Sequence, residues 1–173
     1  MALKELEMKE LSPMLTNNFV TWLFSNKSAT AEEITKKMKA LKVDFPYPKF
    51  CVLALKFVWK DNSIKENEEY EETKAEAIIE KCINTDFSTG TVYHDGDLFY
   101  VFLNYNCGNR ILPDICINAV NEASENVTAY MVIGPEVDNI FQVSNSCEKI
   151  VRGLAYSYLY PDKHIFTYQE IEV

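Results

Sequence analysis

The sequence predicts an α+β domain built on an antiparallel sheet, and three observations predict it. Phe50 to Trp59 is a nearly continuous apolar run, interrupted only by Lys56. Two shorter apolar runs flank a tight turn, His94-Asp95-Gly96-Asp97. Around them lie segments whose apolar residues recur at helical spacing. The predicted order is two helices, then β-α-β-β-α-β, then one more helix and strand.

Each element has its own local reason. Ser12-Pro13 pairs a capping hydroxyl with a proline suited to a first helical turn, and Leu15, Phe19, Trp22 and Leu23 follow at helical spacing. Asn26-Lys27-Ser28 breaks that pattern. Thr30 and Glu33 have the spacing of a capping box, and Ile34, Met38 and Leu41 give the second helix its stripe. Phe45-Pro46-Tyr47-Pro48 ends it, because proline disfavours helix at and before itself. The run 50–59 has the length and the aromatic and β-branched content of a buried central strand.

Residues 60–72 are highly charged and read as a solvated loop entering a helix, whose buried face is Ala75, Ile78, Ile79 and Cys82. Thr89 to Leu103 reads as a hairpin, since Asp95-Gly96 supplies the positive φ that primed turns demand. Leu112, Ile115, Cys116, Ala119 and Ala123 mark another amphipathic helix. Val127 to Ile133 reads as a strand stopped by Gly134-Pro135. Ile140 through Tyr158 carries the longest helical stripe, and His164 to Tyr168 a short terminal strand.

Composition narrows the function classes. The 173 residues suit one domain, and 47% apolar content with 13% aromatic provides a core. A formal charge of −9 repels phosphate backbones, so this chain by itself is not expected to bind DNA. The five cysteines include no CxxC pair, no secretory leader opens the chain, and no apolar run spans a membrane. A cytoplasmic location is expected, with the cysteines acting as small buried apolar residues.

The order and spacing of these segments resemble a known family. The sequences LKVDFPYPKFCVLALKF, VYHDGDLFYVFL, VTAYMVIGPEV and SNSCEKIVRGLAYSYLYPDKHIFTYQEI occur in the order seen in degenerate GGDEF-like domains. Those are found in AraC-type and sugar-diacid-type bacterial transcription regulators. The resemblance implies a ferredoxin-like β-α-β-β-α-β sheet with helices on one face, an extra C-terminal helix and strand, and a preceding helical pair. It divides the chain into a helical segment, 1–45, for coupling and dimerisation, and a GGDEF-like domain, 46–173.

Active cyclases of that class place two aspartates on the first strand and Gly-Gly-Asp-Glu-Phe in the hairpin. Here Lys56 and Val58 stand at the strand positions, and His94 and Asp95 where the paired glycines would be. Asp97 is the one carboxylate near a metal-ligand position. Such a set is a poor magnesium–triphosphate site, so no catalytic residue, metal or cofactor is expected. Lys56, His94, Asp95 and Asp97 are the candidate ligand face. As an alternative, His94 to Asp97 is a polar hairpin tip shaped by turn geometry alone.

The resemblance implies a non-catalytic regulatory and signal-coupling domain, with DNA bound only through a helix-turn-helix outside this chain. Its effector is not indicated. The alternative is a small-ligand or nucleotide-binding domain, or a divergent enzyme, using the same face. Phe19, Trp22 and Phe24 are the candidate homodimer interface, because three large aromatics exceed what one helix buries on a sheet already carrying three helices. The tyrosines Tyr156, Tyr158, Tyr160 and Tyr168 either form a second exposed patch or seal the domain's edges.

Overall fold

The long apolar run forms β1 (Lys49–Trp59), the central strand of a five-stranded sheet. The structure is a computed structural model that describes residues 2–59, 68–95, 98–106, 112–123, 127–156, 159–160 and 162–167. On one side β1 pairs antiparallel with β3 (Leu98–Tyr105), which pairs antiparallel with β2 (Ser88–Asp95) at the sheet's edge. On the other it pairs antiparallel with β4 (Val127–Ile133). A three-residue strand, β5 (Ile165–Thr167), lies parallel to β4.

The sheet is therefore mixed, in the order β2-β3-β1-β4-β5, and the expectation of a wholly antiparallel sheet is corrected at β5. The cause is the long connection after β4. A helix there returns the chain to the end from which β4 started, so the next strand runs alongside in the same direction.

Among the described residues five α-helices pack on the sheet: α1 (Ala2–Ser25), α2 (Ala31–Leu41), α3 (Glu68–Ile83), α4 (Leu112–Ala123) and α5 (Val143–Tyr156). They cover both faces, not one. Phe50, Val52 and Ala54 of β1 join Tyr100, Phe102 and Val132 in a core shared with α1, α2 and α5. Cys51, Leu53 and Leu55 join Val101, Leu103 and Met131 in a second core shared with α3 and α4. This explains why β1 reads as apolar almost throughout, whereas a strand with one wet face would alternate. Each large aliphatic or phenylalanine side chain buried in these cores contributes about 1.5–3 kcal/mol before entropy is counted.

Local chemistry sets the helix ends. Thr30 Oγ1 accepts the Glu33 N–H at 3.2 Å, fulfilling the expected cap of α2. Lys42, in the left-handed region at φ 54°, closes the other end by donating to the Lys39 carbonyl. The expected start at Ser12-Pro13 is corrected, because α1 begins at Ala2 and passes through Pro13. A proline costs a helix one main-chain hydrogen bond, and here that loss does not end it. Ile140–Gln142 is a 3₁₀ turn capped by Asn139, so the last long stripe becomes helical in two steps.

No packing boundary follows residue 45. Phe19, Leu23, Phe24 and Ile34 lie in the same core as the sheet. The linker after α2 is tied down by the buried Asn104, whose amide accepts from Tyr47 N–H at 3.1 Å and donates to the Tyr47 and Lys49 carbonyls.

Candidate functional site

Strand alternation decides the fate of the expected ligand face. Asp95 is paired with Leu98, and Lys56 lies on the other side of Leu98, so all three share one row and one face. That face is the one covered by α1, α2 and α5, against which Leu98 packs. His94 is paired with Phe99 and points to the opposite face, where it stacks on the Phe99 ring at 4.2 Å and 6°. Lys56 and Asp95 are thus brought to one side, while His94 is separated from both. Asp97 lies outside the described residues, as do Gly96 and the turn geometry. Adjacent His and Asp in a strand do not form an acid/base pair, because the backbone aims them apart.

The candidate interface is corrected in two of its three residues. Phe19 is fully buried and Phe24 is 5% exposed, both in the core beneath α1. Phe24 stacks on Tyr93 at 5.3 Å and lies 5.7 Å from Tyr100. The expectation assumed that three helices already shared α1's face. In fact α3 and α4 occupy the other face, which leaves room for α1 to bury its aromatics. Trp22 is half-buried, with the Lys37 ammonium 5.6 Å from its ring centre. Of the tyrosine group, Tyr160 is exposed near Phe166, and the side chains of Tyr156, Tyr158 and Tyr168 lie outside the described residues.

At the opposite end of the sheet a polar cluster surrounds Lys49. Its ammonium is bonded to Asp138 and lies 3.9 Å from Glu136, which also accepts the Tyr105 hydroxyl at 2.5 Å. Cys51 lies beneath this cluster and donates to the Gly134 carbonyl at 3.4 Å. Burial, with Glu136 adding to it, pushes the Cys51 thiol up to about 12. That makes Cys51 a structural thiol rather than a nucleophile, as the sequence indicated. Gly134 is more than a strand stop. A Cβ there would lie 2.7 Å from the Val52 carbonyl oxygen, so glycine is required by close approach.

Sequence reasoning missed one feature, a cleft of about 830 Å³ along the outer edge of β2. Met14, Thr16 and Asn17 of α1 form one wall, and Asp44, Phe45 and Pro46 close one end. Glu80 of α3 and Asn84 just after it stand on the other side of the strand, and Thr89, Gly90 and Thr91 form the floor. The lining holds two carboxylates, two amides and three hydroxyls, and no lysine, arginine or histidine. Such a set favours cationic or neutral polar groups over anions. The signal available in sequence was an edge-strand stretch, 88–93, with neither lysine nor proline to guard it.

Among the described residues no cluster of three or more His, Cys, Asp or Glu is placed to hold a metal ion, and no helix is long and apolar enough to cross a membrane. No protein-family model matches the chain, and no curated protein matches it.

Proposed function

We propose that this chain is a non-catalytic regulatory domain that couples an N-terminal helical element to a cyclase-like sheet. The observation that carries this reading is Phe24, wedged from α1 against Tyr93 and Tyr100 of the β2–β3 hairpin. Any shift of α1 must move that hairpin, because close-packed aromatics repack between discrete arrangements rather than deform smoothly. The antiparallel set β2-β3-β1-β4 is taken as the ferredoxin-like core, with β5 appended. Within that scheme the domain belongs to an AraC-type bacterial regulator whose DNA-binding part lies outside this chain. Phe19 and Phe24 serve the chain's own core and are not offered to a second copy.

The alternative, an anionic nucleotide held on the face bearing Lys56, has less support. That face is covered by α1, α2 and α5, and the cleft beside β2 is acid-lined.

The test has two parts. Purified chain incubated with GTP and Mg²⁺ or Mn²⁺ is expected to yield no cyclic dinucleotide, and product abolished by Asp97→Ala overturns the non-catalytic reading. Hydrogen exchange across residues 91–101 should then accelerate in Phe24→Leu. Unchanged exchange there, in a folded variant, would remove the coupling path.

A further inference from the structure

From the geometry of β2 we infer a peptide-docking edge: its outer rim accepts an added strand that carries two consecutive basic residues. This inference does not rest on the regulatory reading. Among the described residues β2 is the terminal strand, with its one partner strand, β3, on one side. The Gly90 N–H donates to Asn84 Oδ1 at 3.1 Å, and the Ser88 carbonyl accepts from the Thr85 N–H at 3.0 Å. Both groups therefore point away from β3. In an antiparallel pair this direction alternates along the strand, so the main-chain groups of Val92 and His94 point outward as well. The 84–85 segment guards only the start of this rim. From the Gly90 carbonyl to His94 no strand among the described residues pairs with it.

An exposed rim of this kind pairs with extended peptides, and neighbouring pockets then supply specificity. The cleft beside Gly90 supplies it here. Asp44 lies on the α1 side, next to Phe45, whose ring packs on Phe19 and Phe102. Glu80 lies on the α3 side. Successive residues of an added strand point to opposite faces, so two adjacent basic residues reach one carboxylate each. Basic residues separated by one position would both point to the same carboxylate.

Charge also decides between occupants. A second copy pairing β2 with β2 would bring four such carboxylates to one seam, between chains each carrying −9. A basic peptide meets the same carboxylates as counterions.

The experiment is calorimetric titration of the full chain with an acetylated, amidated hexapeptide, Thr-Val-Lys-Arg-Val-Thr. Three probes accompany it: the same peptide with one valine between the basic residues, the same peptide N-methylated on its central backbone, and putrescine. We expect saturable binding of the parent peptide, weakened about tenfold by separating the charges and about tenfold by N-methylation. The double variant Asp44→Asn/Glu80→Gln, both sites exposed, should lose the preference for adjacent charges while keeping the sensitivity to N-methylation. Absence of binding overturns the proposal, as does equal affinity for the N-methylated peptide. Putrescine binding as tightly as the peptide would reassign the cleft to small diamines and overturn it. So would a dimer in sedimentation velocity with amide protection at 90–94, which would give the rim to a second copy.

Discussion

The imidazole of His94 lies flat on the ring of Phe99, with centroids 4.2 Å apart and planes 6° apart. Phe57 meets that ring edge-on at 5.0 Å, so His94 joins an aromatic row with Phe99 and Phe57. The same histidine bears on Glu76 of α3. Burial, then the nearby Glu80, raise the Glu76 carboxyl above its ordinary value, and His94 acts against them.

A raised carboxyl favours the folded state only while protonated. Its contribution is fully present below the unfolded value of 4.5 and is lost as pH rises through the folded value. Glu76→Gln should therefore raise Tm at pH 7 and leave it unchanged near pH 3. Scanning calorimetry across that range checks the sign. A variant less stable at pH 7 would mean that the ion contributes more than its burial costs.

Phe24→Ala should cost about 3–5 kcal/mol in denaturant unfolding, because a buried aromatic leaves a cavity between Tyr93 and Tyr100. Trp22→Glu, on the half-exposed side of the same helix, should leave the light-scattering mass equal to that of the parent chain. A lower mass for the variant alone would restore the aromatic face as an interface.

Cys51 and Cys147 are buried, while Cys82 is half-exposed. With its thiol near 12, Cys51 has almost no thiolate at pH 8. Native alkylation with iodoacetamide followed by peptide mass mapping should label Cys82 and spare Cys51 and Cys147. Addition of denaturant should expose all three. Early labelling of Cys51 would show that the sheet end near Gly134 opens.

Asn104→Ala should cost about 1–3 kcal/mol, since it removes three hydrogen bonds to part-buried main-chain groups of Tyr47 and Lys49. Because Asp44 to Pro46 close the cleft, faster proteolysis across 42–48 should accompany the loss in unfolding energy. Stability lost without any loosening of that segment would mean that Asn104 acts through β1 alone.

Features set by near neighbours in sequence were legible, and those set by distant ones were not. Thr30 and Glu33 named the start of α2, and Val127–Ile133 was bounded correctly by residue type alone. The stripe Phe19, Trp22, Leu23 showed that α1 buries one side, yet a stripe says nothing about which face of a sheet receives it. That single ambiguity produced the expected aromatic interface. The split of His94 from Asp95 follows from period-two alternation, which aims neighbouring strand residues to opposite faces. The cleft needed Thr16, Asp44, Glu80 and Thr91 from four separate elements, and no local pattern records their meeting. The parallel placement of β5 likewise depends on where α5 returns the chain.

The central position of β1 has a consequence for how the chain is made. Synthesis delivers residues 49–59 well before Leu98, where β3 begins, and before Val127, where β4 begins. Until then this apolar strand has two open edges, with α1 and α2 the described elements already made that can cover it. Its own sequence carries a single charge between Phe50 and Trp59, at Lys56. That makes the emerging chain sticky for the length of time needed to translate the hairpin. Slowing translation between Trp59 and Leu98 should therefore reduce soluble yield more than slowing it after Ile133, and Lys56 is the gatekeeper whose loss would make the difference larger.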